Sequence, residues 1–371
     1  MARDPDELSL EINGEEFRFW QDPTVTRSID TYSTVGFSAP FEPDREEFRN
    51  LFRPFRYQTM RVLLAGEPLV TGTLMHIVPK VDEKSKTVDV TGWAKPAALN
   101  CNMPASAFPL EFNGVGLREI ATSLAAPFEV DVTFEADEGA AFGQVSLKQK
   151  QKKRRKRTAD PGPGFEKVAL LPGGQVQEFL VGLAQQRGLV MTDTPEGELR
   201  FWQSTSGGHP VAKLEGGQPP LCRVTPQFSP ATYYSEITAF VSAQPGRAGS
   251  SYTERNPWLD GIILRPHNFE LQDTDPADAP AAARAKLGRM FAEMASFTIE
   301  NLPTWRDPQG DLWEPNTTIM LTCPDAMIYK PTEFLIRDVT LVREAETKTA
   351  ALGVVMLGAF EGAAPETLPW T

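Results

Sequence analysis

Leu8-Ser9-Leu10-Glu11-Ile12-Asn13-Gly14-Glu15-Glu16-Phe17-Arg18-Phe19 places an apolar residue at every second position, breaks at Asn-Gly, and resumes the alternation with Phe17 and Phe19. Alternation of period two is the pattern of a strand with one buried face. Asn-Gly between two such runs is a strong short-range hairpin signal, because a type I′ turn needs positive φ at both central positions. The pattern recurs downstream at Val35, Phe37 and Ala39, at Met60, Val62 and Leu64, and at Leu74, His76 and Val78. Val88 and Val90 close the set before Gly92-Trp93. About six strands with one apolar face each must roll up or stack, which predicts a small barrel or sandwich. His76 falls in the apolar phase and reads as a core or interface histidine, since no second metal ligand lies near it in sequence.

The rest of the composition agrees with a β-rich chain. Of 371 residues 41% are hydrophobic and 23% charged, ordinary globular usage that excludes wholesale disorder. The length suggests two or three domains. The 32 Pro imply many turns and short elements, because Pro is excluded from helix interiors and central strands. A net charge of −12 argues against a nucleic-acid binder, whose phosphate contacts need local positive charge. Three widely spaced cysteines, Cys101, Cys222 and Cys323, read as free thiols in a reducing compartment rather than a disulfide framework. No run approaches the 18 or so apolar residues of a membrane span. The acidic start, Asp4-Pro5-Asp6-Glu7, has no apolar signal-peptide region. A protein without membrane anchor, remaining in the cytosol unless carried out by other machinery, is expected.

The texture changes between 115 and 202. Leu117, Ile120, Ala121 and Leu124 have helical spacing, and Phe128, Val130, Val132 and Phe134 then alternate as a strand. A second apolar stripe, Val176, Phe179, Leu180, Leu183 and Ala184, ends at Arg187-Gly188 and is followed by a Thr194-Pro195-Glu196-Gly197 turn. Aligning Leu117 with Val176 suggests a helix-plus-strand unit used twice. From 203 the β texture returns, interrupted by a helical stretch near 280–296 with Pro280 in its first turn. The organisation expected is thus a first β-barrel over 1–96, α/β modules over 97–202, and a second β-barrel over 203–371 that carries the one helix.

Between the two middle units lies Lys148-Gln149-Lys150-Gln151-Lys152-Lys153-Arg154-Arg155-Lys156-Arg157, followed by Pro161-Gly162-Pro163-Gly164. Eight cations within ten residues repel one another and predict a surface loop. Three readings stand: a solvated loop, a docking contact with an acidic protein, and a nucleic-acid contact. The last is disfavoured because the run has no aromatic to stack a base.

Sites for chemistry are missing from the pattern. There is no G-x-S-x-G elbow, H-E-x-x-H, Walker loop or G-x-G-x-x-G after a strand. His76, His209 and His267 share no metal-ligand spacing. Two carboxylates would suffice for a glycosidase, yet no acid has a cleft-like apolar context; Glu111 is the polar phase of a short strand. No catalytic, cofactor-binding or metal-binding residue is therefore assigned. Trp258, Trp305 and Trp313 lie in loop-like stretches and read as caps on barrel ends in preference to interface anchors.

The stretch from Trp305 through Phe360 resembles the C-terminal part of the phage baseplate hub family of the late control D type, found in contractile-tailed, Mu-like phages. The most specific match is G-x-L-W-x-P-N, here Gly310, Leu312, Trp313, Pro315 and Asn316, read as a structural motif. Leu180–Phe201 is similar to the family's middle region, and Leu8–Trp20 with Val25–Asp30 and Leu69–Gly72 is similar to its first barrel. The basic run has no counterpart in the family pattern. The resemblance implies a β-rich α+β fold with two tail-tube-like antiparallel β-barrels and smaller α/β modules. It implies a homotrimer whose six barrels form a pseudo-hexameric ring joining the six-fold tail tube to the three-fold central spike. The partners expected are the spike, the tail tube or a tube-initiator protein, and other baseplate components, with genomic DNA passing the channel unbound. The place expected is the virion tail baseplate, assembled in the host cytoplasm, with no enzymatic role and no cofactor. Two alternatives stand beside this reading: a tail-associated peptidoglycan hydrolase, against which the missing catalytic constellation counts, and the hub or spike protein of a contractile secretion system, which shares this fold. The second would carry a long C-terminal β-helix or effector, whereas this sequence ends at Thr371, soon after the last barrel strand.

Overall fold

The computed structural model describes residues 4–82, 86–135, 164–220, 223–243, 246, 248–259, 261–273 and 275–371. The basic run Lys148–Arg157 and Cys222 lie outside the described residues.

The opening hairpin forms where the alternation places it. β1 (Leu8–Ile12) buries Leu8, Leu10 and Ile12 and turns into the short β2 (Glu15–Glu16). Asn13 and Gly14 sit at φ 53° and 82°, the two positive values a type I′ turn requires. β3 (Gln21–Ser28) and β4 (Thr34–Pro40) follow, the latter burying Val35, Phe37 and Ala39. A short helix α1 (Glu46–Leu51) precedes β5 (Thr59–Leu64), the long β6 (Glu67–Val81) and β7 (Lys86–Ala94).

In β6 the sequence expectation fails for a definable reason. A β-bulge between Leu74 and His76 inserts one residue opposite Gly92 and Thr91. Because side chains alternate with period two, one extra residue exchanges the two faces. Leu74 is buried, but His76 and Val78 become exposed, and His76 lies edge-on to Trp93 at 5.6 Å. His76 is not a core residue.

The middle of the chain encloses its own core, from Leu99 to Phe201. β8 (Leu110–Phe112) pairs with β10 (Val168–Leu170), and α2 (Leu117–Ala125) leads to β9 (Val132–Phe134). α3 (Val176–Gln186) leads to β11 (Val190–Asp193), which pairs with β12 (Leu199–Trp202). β9 adds to β12 in parallel, so the strands following both helices share one three-stranded sheet. Phe128, expected in a strand, ends a 3₁₀ turn that closes on Glu129 in the left-handed region.

The last part begins with β13 (Ala212–Glu215) and β14 (Arg223–Phe228). A three-stranded sheet of β15 (Glu236–Val241), β16 (Ser250–Arg255) and β17 (Pro266–Glu270) packs on α4 (Ala279–Met294) around Ala239, Leu271, Ala282 and Ala283. The chain then returns through β18 (Ala295–Leu302), β19 (Thr318–Cys323), the long β20 (Ile328–Glu344) and β21 (Thr347–Met356).

The two β-rich ends are hydrogen-bonded into one network of 13 strands, because β20 pairs antiparallel with β3 through Asp338–Ser28 to Val342–Thr24. Within it the same strand order occurs twice. β3-β4-β7-β6-β5 in the first end matches β14-β18-β21-β20-β19 in the last. The registers match as well. Leu74, Gly92, Val35 and Val25 form one row; Ile336, Val354, Phe297 and Pro226 form its counterpart. Both long strands carry a bulge directly after that row, before His76 and before Asp338. The second copy differs by insertion of β15–β17 and α4 between β14 and β18, and β13 takes the place of β1 in the opposite direction. One large apolar cluster runs through both ends.

Candidate interaction surfaces

The loop from Trp305 to Asn316 is built around one carboxylate. Asp307 Oδ1 accepts the backbone N–H groups of Gln309 (2.8 Å) and Asp311 (3.0 Å), and Asp307 N–H donates to Asp311 O (2.8 Å), folding Pro308-Gln309-Gly310 into a tight turn. Gly310 stands at φ 94°. The turn returns Trp313 to Trp305, whose carbonyl accepts the Trp313 N–H at 2.9 Å. Trp305 is fully buried and Trp313 is 2% exposed. The Trp305 indole donates to Val342 O (3.1 Å) and Thr349 O (2.9 Å), so it closes the end of the β20–β21 hairpin. The Trp313 indole donates to Thr304 O at 3.3 Å. Leu312 is half-buried against the same core.

The same loop ties three parts of the chain together. Asn316, at φ 68°, accepts the Thr205 N–H (2.8 Å) and donates to Gln203 O (3.0 Å), fastening the segment that leaves the middle modules. Arg306 donates to Asp6 (2.8 Å) and Pro5 O (2.8 Å), and Lys348 pairs with Asp4 (3.2 Å), fastening the start of the chain. Gly310, Leu312, Trp313, Pro315 and Asn316 are thus brought together in one loop. Trp258, in contrast, is only partly buried, its indole donating to Pro365 O at 3.0 Å.

A second junction, invisible in the sequence, lies at the β3–β4 turn. Thr192 Oγ1 is shared with Ser28 O (2.9 Å) and Thr31 O (2.7 Å), Ser33 N–H donates to Asp193 (2.6 Å), and Trp202 Nε1 donates to Ile29 O (3.1 Å). From the last part, two guanidinium groups reach Asp30, that of Arg337 at 3.2 Å and that of Arg289 at 3.8 Å. Ile29, Val190, Leu335, Val355 and Phe360 pack beneath. Burial pushes the Asp193 and Asp338 carboxyls up and the Arg289 guanidinium down, each by disfavouring the charged form. A third polar cluster joins α3 to the start of α4. Arg187 pairs with Asp278 at 2.9 Å and lies over the Phe165 ring, while Asp273 accepts the N–H groups of Glu166 (3.2 Å) and Lys167 (3.0 Å). Burial, with Asp273 close by, raises Asp278 to about 6 against the pull of Arg187.

None of these clusters is an open cleft. Among the described residues no group of three His, Cys, Asp or Glu is placed to hold a metal ion. His76 lies on β6, His209 in the loop before β13 and His267 on β17, and Cys101 is exposed while Cys323 is buried, both as free thiols. No helix among the described residues is long and apolar enough to cross a membrane. The exposed apolar surface lies instead on edges and loops. Phe55 is 86% and Tyr57 60% exposed, both at positive φ, beside Met75 and Val78 on β6. Phe228, on β14, is also exposed, with its ring against Phe297 and Trp370. Sequence reasoning missed these edges, because alternation identifies a strand but not the strands beside it.

No family model matches the chain. Baseplate hub protein gp44 of Escherichia phage Mu is 24% identical over 355 residues, 90% of this chain and 83% of that protein. The 43 kDa tail protein of prophage MuSo2 from Shewanella oneidensis superposes with a TM-score of 0.72 at 22% identity, over 95% of this chain and 99% of that one. The tail protein from Neisseria meningitidis MC58 gives a TM-score of 0.72 at 17% identity, over 96% and 98%. A type VI secretion system component of E. coli, described as similar to phage T4 tail proteins gp27 and gp5, gives 0.50 at 13% identity, over 97% and 80%. The chain therefore resembles the Mu baseplate hub protein along most of its length and is built on the fold of Mu-like phage tail proteins.

Proposed function

We propose that this chain is a structural baseplate hub protein of a contractile phage tail, three copies of which form a ring of six β-rich ends joining the six-fold tail tube to the three-fold spike. The observation that carries the proposal is the repeated strand order. A chain holding the same five-strand arrangement twice presents two near-equivalent units, so three chains present six. Similarity to the Mu hub protein over most of both sequences supports the same reading. Polar clusters that are consumed in fastening one part of the chain to another suit a force-bearing scaffold rather than a catalyst, and the similar proteins are named for their places in tails and baseplates. The net charge of −12 suits a channel that DNA must traverse without adhering, because like charge repels phosphate. Spike, tube or tube initiator, and other baseplate proteins are the partners proposed.

Mass photometry and negative-stain imaging of the purified protein test the proposal. Ring-shaped trimers are the expected result; a particle that stays monomeric within a resolved baseplate overturns it. The hydrolase alternative is separated by zymography on peptidoglycan, where no clearing is expected. Fold similarity to a type VI secretion component keeps the secretion-system hub as the second reading. Finding a neighbouring gene that encodes a separate short spike would favour the phage tail over it.

A further inference from the structure

The repeated strand order leaves a specific gap. In the last part, the far half of β20 is flanked by β21 on one side and β3 on the other. In the first end, the far half of β6 is flanked by β7 alone; beyond Leu74, whose N–H donates to Gln58 O, no described strand lies on its other side. The counterpart of β3 is β14, and β14 pairs with β18 alone among the described strands. One joint of the duplicated fold is therefore filled within the chain, and among the described residues both halves of the equivalent joint are open.

We propose that the open edge of β6 in one copy pairs antiparallel with the open edge of β14 in the next copy, repeating between chains the joint that β20 and β3 make within one. This inference rests on the trimeric ring proposed above and specifies its interface. Row-by-row correspondence fixes the register. Val339–Arg27, Thr340–Thr26, Leu341–Val25 and Val342–Thr24 inside the chain become Ile77–Phe228, Val78–Gln227, Pro79–Pro226 and Lys80–Thr225 between chains.

Two observations support the joint independently of the correspondence, and the first bears on its register. Pro79 and Pro226 fall opposite each other. A proline has no N–H to give a ladder, so each would spoil a separate rung in any other register; here both deficits share one rung. The apolar residues along the two edges, Met75, Val78 and Phe228, are exposed in the single chain and would be covered by the contact. Such an interface is head-to-tail, two different edges meeting, which is the kind that closes into a ring. The prolines also discourage either edge from pairing with unrelated strands.

A cysteine pair across the joint tests it. Thr26 and Thr340 stand opposite with their hydroxyls 3.1 Å apart, and the neighbouring rung, Ile29 N–H to Arg337 O at 2.9 Å, implies that their own pair is the close, non-hydrogen-bonded kind. Val78 and Gln227 inherit that geometry, with a Cα separation of about 4.5 Å, within disulfide range. The double variant Val78→Cys/Gln227→Cys, made with Cys101→Ser and Cys222→Ser, is expected to give an intermolecular ladder ending in a covalent trimer on mild oxidation. The offset pair Val78→Cys/Thr225→Cys is expected to cross-link far less. Trimers by mass photometry without the Val78–Gln227 disulfide overturn the proposed joint and leave the ring; monomers at every concentration overturn both. Should the double variant fold poorly by its melting profile, Val78→Lys alone gives the second readout. It is expected to weaken the trimer while the monomer's melting temperature is kept, and an undiminished trimer overturns the joint.

Discussion

Trp313 shows how a residue-scale reading passes from sequence to energy. Its place between Gly310 and Pro315 marks a turn that enters a strand, and the structure buries its indole behind that turn. Truncation to alanine is expected to cost about 3–5 kcal/mol of unfolding free energy, read by denaturant titration, because a large buried ring leaves a cavity. Wild-type stability and normal assembly in the variant would show that the ring is dispensable. Asp278 is the opposite case: nothing in Pro276-Ala277-Asp278 separates it from any other acid at a helix start. Its folded pKa lies above the ordinary carboxyl value of 3.8, at about 6, so the fold holds the proton more tightly than the unfolded chain does. Its contribution is then complete below 3.8 and is lost as pH rises through about 6. Asp278→Asn is expected to remove that pH-dependent loss and to be no less stable than the wild type above it. A loss of about 3–5 kcal/mol at alkaline pH, as for a broken buried ion pair, would refute this.

Strands were legible wherever alternation ran unbroken, as at Leu8–Ile12, Val35–Ala39 and Val88–Val90, and the helix ending at Arg187-Gly188 declared itself by its cap. Alternation failed at β6 because a bulge consumes one residue without any mark in composition, which moved His76 from the inner face to the outer. It also could not reveal the β20–β3 joint, whose partners lie at opposite ends of the chain. The tryptophan loop was readable as a motif, whereas its attachments to Asp6 and Gln203 were not. The β6–β7 pair carries its own test. A Cβ at Gly72 would stand 1.9 Å from Trp93 O and 2.8 Å from Ala94 Cα, both backbone atoms that move only with the strand. A Cβ at Gly92 would meet mainly the Met60 side-chain tip, at 2.1 Å from Sδ, and that chain can swing aside. Gly72→Ala is therefore expected to destabilise by about 1–3 kcal/mol or more, and Gly92→Ala by clearly less. Equal melting temperatures for the two variants would contradict the assigned register.

Charge is the property that only the whole molecule reveals. The run Lys148–Arg157 takes eight of the 37 basic residues, leaving 29 against 49 acidic ones over the remainder. A cationic segment carried by so acidic a chain is attracted to any second copy of that chain and to acidic partners generally. DNA offers negative charge too, but the run has no aromatic residue for stacking and the surrounding field repels phosphate. We propose that the segment is an assembly contact with an acidic protein, another baseplate component or a neighbouring copy. Exposed pairs of this kind are screened beyond a Debye length of about 8 Å at physiological ionic strength, so the contact should weaken steadily as salt is added. Replacing the eight basic residues with Ser and Gln is expected to leave trimer formation intact, since the strand edges supply that contact, while recruitment of the partner fails. Salt-dependent co-sedimentation of the wild type, lost in the replaced chain, is the measurement that supports docking. Assembly of infectious tails at normal yield from the replaced chain would assign the run to a solvated surface loop, and binding that tracks added DNA rather than protein would assign it to phosphate.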